Sequence, residues 1–265
     1  MGLSQVYSKE KFTENNSANF NYGYYYDSLG DAEIERLAIK IDSLKREKNA
    51  HIILITSAIG GEGKSTIASL IARAIARYKN TLLIDFDIHR PSLHRIFNVD
   101  REPGVTHILD SKISHEKVLK EIFSAKLTLV TSGEQVPVPS ELFKVDLIED
   151  FIRQMSSQFQ NIIIDSPPLL PVSDSLQLGK FADDIIFVIK AGFTSKYIVQ
   201  RAITMFDDID IEISGIVLNN MNNVLPYYYD YKYYKNNYNY GEDGKTTKRG
   251  LRKWFRFGRK EEDKI

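Results

Sequence analysis

Three short stretches hold side chains whose type and spacing suit phosphoryl chemistry. The first is ITSAIGGEGKST at 55–66, where Gly60, Gly61 and Gly63 let backbone N–H groups turn inward around phosphate oxygens. Lys64 would carry a point charge to the β and γ phosphates, and the Ser65 hydroxyl would ligate Mg²⁺. A helix opening at Lys64 would add its positive dipole end. Ala58-x4-Gly63-Lys64-Ser65 satisfies the Walker A spacing with Ala in place of the first Gly, and Glu62 and Thr66 complete the expected nucleotide-binding segment. The second stretch, LLIDFDIHRP (82–91), runs from apolar residues into Asp85 and Asp87, which strand alternation puts on one side. Two carboxylates there can serve a metal and an incoming hydroxyl. The third, NIIIDSPP (161–168), ends an apolar run in Asp165, a residue suited to holding Mg²⁺ through its water shell.

These residues need a scaffold that brings strand ends together. HIILITS (51–57) is an apolar run of strand length, followed by the Gly-rich turn and a helix from Lys64 to about Tyr78. Further apolar strands are expected at Thr81–Phe86, Leu127–Thr131, Asn161–Asp165, Asp184–Lys190 and Ser214–Leu218, with helices near 115–124, 141–158, 174–181 and 195–208. Strands apolar throughout suit parallel pairing with helices on both faces. The predicted fold is an α/β doubly wound, mostly parallel sheet over 31–222, and ligands of such sheets collect at the carboxyl ends of strands. Residues 31–48 place Ile34, Leu37, Ala38, Ile41 and Leu44 at helical spacing, so an amphipathic helix opened by Asp31 is expected.

The 265 residues hold 35 basic and 35 acidic side chains, 15 tyrosines and no cysteine. Zero cysteine excludes a disulfide scaffold, an iron–sulfur cluster, a thiolate zinc site and a Cys nucleophile. Neutral net charge argues against coating nucleic acid through bulk positive charge. The first residues lack the apolar region of a secretory signal, and no apolar run approaches the ~20 residues that span a bilayer. A cytoplasmic location is therefore expected, with any membrane contact peripheral or through a partner. Thirteen of the tyrosines fall outside the expected core, five in 7–26 and eight in 227–240. Residues 1–30 are too poor in aliphatics to offset chain entropy and are expected to be a disordered tail.

Taken together, Ser57–Ser65, Asp85-Phe-Asp87 and Asp165-Ser-Pro-Pro168 resemble the bacterial tyrosine kinases (BY-kinases) that accompany capsular and exopolysaccharide synthesis. Supporting stretches are SGEQVPVPSELF (132–143), VSDS (172–175), ADDIIFVIKAG (182–192) and GIVLNN (215–220). The resemblance covers about 31–240. Partition and septum-site ATPases of the same fold carry Lys just before the two glycines, where this chain has Ile59. The resemblance implies ATP and Mg²⁺ as cofactors, with Lys64 and Ser65 as ligands, Asp85 and Asp165 organising the metal, and Asp87 taking or orienting the tyrosine proton. Asn219 stands where relatives contact adenine; a buried turn asparagine is the other reading. A ring-shaped homo-oligomer, a membrane adaptor whose cytoplasmic tail activates the kinase, and a cognate tyrosine phosphatase are the implied partners. That adaptor would hold the chain at the inner face of the membrane. Three positions depart from the family pattern: His89 in place of Arg, Ile39 in place of the second Arg of a Glu33-x-x-Arg36-x-x-Arg helix, and Val138 in place of Asn.

Residues 223–244 form a tyrosine cluster: Tyr227, Tyr228, Tyr229, Tyr231, Tyr233, Tyr234, Tyr238 and Tyr240. By composition it is an aromatic or adhesive segment; beside a kinase it becomes the expected autophosphorylation substrate. Residues 245–265 carry nine Lys/Arg and three acids, with Leu251, Trp254, Phe255 and Phe257 interleaved. Anionic membrane contact, solubilisation and nucleic-acid contact are its three readings, membrane contact being favoured. The N-terminal tyrosines fit a second substrate patch, a partner contact or a solvated tail. The expected activity is tyrosine autophosphorylation in trans, controlling polysaccharide polymerisation and export. A non-kinase ATPase switch of the partition or septum-site type is the alternative, and a degenerate nucleotide-binding scaffold a further one.

Overall fold

The computed structural model describes residues 28–44, 50–110, 113–122, 126–137 and 142–220. The expected N-terminal tail up to residue 27, the tyrosine cluster and the basic tail lie outside the described residues. Seven strands form one sheet in the order β3-β4-β2-β5-β1-β6-β7. They are β1 His51–Ser57, β2 Thr81–Asp85, β3 Lys120–Ile122, β4 Leu127–Val130, β5 Asn161–Asp165, β6 Asp184–Lys190 and β7 Gly215–Asn219. All neighbouring pairs are parallel except β3–β4.

Strand alternation sends successive aliphatics into opposite cores. Leu54, Leu82, Ile84, Ile162, Ile164 and Phe187 face one layer, where α5 (Val145–Ser156) contributes Ile148, Phe151 and Met155, and α7 (Lys196–Asp207) contributes Ala202 and Phe206. Ile53, Ile55, Leu83, Ile163, Ile186 and Val188 face the other, against Ala38 and Ile41 of α1 (Ser28–Ser43) and Ile67, Ile71 and Ile75 of α2 (Lys64–Ala76). Each such aliphatic, when fully buried, contributes roughly 1.5–3 kcal/mol. Both faces covered is why these strands read as unbroken apolar runs. Three short α-helices are also found among the described residues: α3 Leu93–Phe97, α4 Val105–Leu109 and α6 Asp174–Gly179.

The elements differ from the sequence expectation in several places: α3 and α4 fall outside the expected helices, and α5 starts at Val145 rather than near 141. Helix α1 begins at Ser28, three residues before Asp31, and ends at Ser43. Of the helix expected at 115–124, the described residues 115–122 do not form one: His115–Val118 is a single 3₁₀ turn, and Lys120–Ile122 is the antiparallel edge strand β3. Val118 and Ile122 are both buried at a spacing of four, which mimics a helical stripe. Hairpin pairing decided otherwise, because Ile122 finds Leu127 across the hairpin and Lys120 sends its ammonium to Pro103 O and Thr131 Oγ1. No helix among the described residues is long and apolar enough to cross a membrane.

Candidate functional site

The parallel register places the chemistry. On β2 and β5, Asp85 pairs directly with Asp165, and Ile55 of β1 flanks Asp165 on the other side. The loop leaving β1 therefore crosses the same strand ends that carry the carboxylates. Gly61 and Gly63 take positive φ values of 87° and 94°. At Gly63 a Cβ would also stand 2.3 Å from Asn219 Nδ2, so glycine is required twice over. Helix α2 starts at the next residue, with Ile67 N–H donating to Gly63 O at 3.0 Å.

A cavity of about 790 Å³ opens over this loop. Gly60, Gly61, Gly63, Lys64, Ser65 and Thr66 line one wall, Asp87, His89, Arg90 and Arg95 another, and Pro167, Pro168, Pro171 and Val172 a third. Of the predicted nucleotide-binding residues, Glu62 and Asn219 do not line it. Glu62 is fully buried and its carboxylate points away from the cavity, accepting hydrogen bonds from Ile59 N, Lys190 N and Thr194 Oγ1. Asn219, the last residue of β7, donates through Nδ2 to Glu62 O at 2.9 Å and accepts through Oδ1 from Asn220 N, so it braces the loop.

Lys64 is nearly buried and donates to Asp87 Oδ2 at 3.0 Å. Burial pulls its ammonium down, but Asp165, Asp87 and Asp85 outweigh that and hold it above the ordinary lysine value. Asp87 Oδ1 accepts from Arg90 N at 2.9 Å, so both oxygens of Asp87 are engaged. Asp85, fully buried, accepts through Oδ2 from Ser92 N and Leu93 N, which fixes the loop after β2. Its Oδ1 has no partner. Burial, together with the facing Asp165, raises it well above the ordinary carboxylate range, although those two N–H groups pull it back.

Asp165 stands apart. It is fully buried and neither oxygen has a hydrogen-bond partner. Burial pushes its carboxyl up to about 7, against the pull of the Lys64 charge and the nearby Ser65 hydroxyl. An orphaned buried carboxylate costs several kcal/mol unless a ligand claims it. Among the described residues no group of three or more His, Asp or Glu side chains forms a ready-made cation cage. Mg²⁺ needs none: it keeps its waters and takes one or two carboxylates plus substrate phosphates. The oxygen set of Asp165, Asp85 Oδ1 and Ser65 fits that demand.

Sequence reasoning noted His89 only as a departure from a family pattern. In the structure its Nε2 meets Asp174 Oδ2 at 2.8 Å, tying the wall after β2 to the start of α6. Ser175, in the same VSDS stretch, donates to Pro167 O at 2.6 Å and so fixes the loop carrying Asp165. Both partners lie in stretches already singled out, but nothing local joins 89 to 174. In α1, Arg36 pairs with Glu33 and Ile39 is 68% exposed.

A glycine-rich loop on a helix N-terminus, a buried lysine and strand-end carboxylates define a P-loop nucleotide-binding protein. The family model for ParA, described as NUBPL iron-transfer P-loop NTPase, matches residues 48–246. Tyrosine-protein kinase YwqD of Bacillus subtilis (strain 168) is 30% identical over 208 residues, covering 78% of this chain and 87% of YwqD. The kinase domain of Escherichia coli tyrosine kinase ETK superposes with a TM-score of 0.68 at 26% identity, over 72% of this chain and 75% of that one. Within the P-loop NTPases, this chain belongs to the bacterial tyrosine-protein kinases. Tyrosine-protein kinase Wzc of Salmonella typhimurium, 28% identical over 196 residues, is much longer: the match covers 74% of this chain and only 27% of Wzc.

Proposed function

We propose that this chain transfers the γ-phosphate of ATP to tyrosine hydroxyls, its own cluster at Tyr227–Tyr240 first among them, in trans between copies. The observation that carries the reading is the buried carboxylate of Asp165, without a hydrogen-bond partner and within the field of Lys64, at a phosphate-binding loop. The incoming phenol oxygen forms a bond to the γ-phosphorus as the bridging bond to the β-phosphate breaks, and ADP leaves with that electron pair. The phenolic proton passes to Asp87 Oδ2. That oxygen is held by Lys64 here, and phosphate oxygens in the loop compete for the same ammonium, which frees Asp87 as the nucleotide seats. Asp165, Asp85 and Ser65 would hold Mg²⁺, which when bound neutralises charge on the β- and γ-phosphates.

In this reading each phosphate adds roughly −1.5 to −2 charges to the tail, so multiple phosphorylation disassembles a ring in which tails occupy neighbouring sites. A membrane adaptor activates the kinase, a phosphatase resets it, and the cycle controls capsular or exopolysaccharide export at the inner face of the membrane. The basic-aromatic residues 245–265 add contact with anionic lipid. The iron chemistry in the family description does not carry over, since this chain has no cysteine thiolate.

The test follows γ-phosphate onto the tail with and without an adaptor's cytoplasmic segment. Lys64→Met should lower transfer by on the order of 10³-fold. ATP hydrolysis without any tail phosphorylation would replace the kinase reading by an ATPase switch.

A further inference from the structure

Glu62 sits between the cavity-lining Gly61 and Gly63 of the phosphate loop, yet it is not among the lining residues and is fully buried. A buried carboxylate is tolerated only where hydrogen bonds replace its water. Here they come from two separate elements. Oε2 accepts from Ile59 N at 2.9 Å, which closes the loop on itself. Oε1 accepts from Thr194 Oγ1 at 2.6 Å and from Lys190 N at 3.3 Å, both at the end of β6 and the turn before α7. That turn also places Phe193 beside the loop, 3.8 Å from where a Gly61 Cβ would stand.

We propose that Glu62 is a positioning residue: through Thr194 it anchors the crown of the phosphate loop to the β6–α7 turn and keeps the cradle formed before nucleotide arrives. The inference rests on the nucleotide reading above. Without the anchor, Gly60, Gly61 and Gly63 give the loop wide conformational freedom, and ordering it would draw on nucleotide binding energy. The anchor touches no reacting atom, so its loss weakens ATP binding while leaving the transfer step nearly intact once ATP is bound.

The experiment measures ATP dissociation constants, KM and kcat for the full chain and for Thr194→Val, Glu62→Ala, Glu62→Gln and the Thr194→Val/Glu62→Ala pair, with thermal unfolding alongside. Thr194→Val should raise the dissociation constant and KM for ATP about 3- to 10-fold, since only part of the lost hydrogen bond is drawn from nucleotide binding, with kcat within about twofold. Glu62→Ala should do more, and Glu62→Gln should fall between, because its amide oxygen still accepts from Thr194 while its NH₂ faces the Ile59 donor. The double variant should be no worse than Glu62→Ala. Unchanged ATP affinity in Thr194→Val, or strictly additive effects in the pair, overturns the inference, even where Glu62→Ala only lowers stability. Absence of ATP binding by the unaltered chain would instead overturn the nucleotide reading itself.

Discussion

Glu62 and Asp165 are both fully buried carboxylates at the carboxyl ends of adjacent strands, and they are treated in opposite ways. Glu62 accepts three hydrogen bonds, one of them from a residue 132 positions away, and neither it nor Asp165 is among the residues lining the cavity. Asp165 accepts none. Burial costs each a large desolvation penalty; at Glu62 three hydrogen bonds offset it, whereas at Asp165 only the Lys64 charge and the nearby Ser65 hydroxyl pull against it. A satisfied buried carboxylate is architecture; an unsatisfied one beside a phosphate loop is a place kept for a ligand.

Asp165→Asn breaks this contrast most strongly. The amide keeps the shape and removes the charge, so phosphate transfer should fall by on the order of 10²- to 10³-fold. Nucleotide-free stability should move the other way and rise at pH 8, since an uncompensated buried charge is gone. A variant that lost both activity and stability would show Asp165 to be structural, like Glu62.

The same site gives the next effect through pH. With a folded value of about 7 against an ordinary 3.8, the folded state holds the Asp165 proton more tightly than the unfolded chain does. Its contribution to stability is therefore fully present below 3.8 and is lost as pH rises through 7, a fall on the order of a few kcal/mol for the nucleotide-free protein. Asp85, also raised, slopes in the same direction. Denaturant unfolding across pH 4 to 8 should show that decline, flattened in Asp165→Asn; a stability that rose over the range would refute the assignment.

On the loop side, Gly63→Ala adds a methyl at a φ of 94° and drives it against Asn219 Nδ2. The strain should cost about 1–3 kcal/mol in stability. Displacing the loop should weaken ATP binding by up to about 10²-fold, measured by titration.

What the chain disclosed on its own was whatever its local pattern controls. Unbroken aliphatic runs marked the parallel strands, and β1, β5 and β6 begin and end where HIILITS, NIIID and DIIFVIK do. Gly-Lys-Ser and the strand-end aspartates marked the site, because backbone freedom and charge are properties of single residues. Partnerships were invisible. Nothing near Glu62 signals Thr194, and nothing near His89 signals Asp174. The stretch 115–122 misleads in another way: Val118 and Ile122 stand at helical spacing, but Ile122 pairs with Leu127 across the β3–β4 hairpin.

The smallest effect should come from a carboxylate of a third kind. Asp42 in α1 meets Lys79 Nζ at 2.5 and 2.7 Å, a geometry tighter than the 3.0 Å of the Lys64–Asp87 pair. Its side chains are 32% and 30% exposed, however, against 2% and 9% in the site. Water solvates both charges when the pair is broken, so a double-mutant cycle of Asp42→Ala and Lys79→Ala should give a coupling of only about 0–1 kcal/mol, shrinking further in high salt. Distance alone would rank this pair above the one in the site. A coupling well above about 1 kcal/mol, insensitive to salt, would mean that burial is not what separates the carboxylates of this protein.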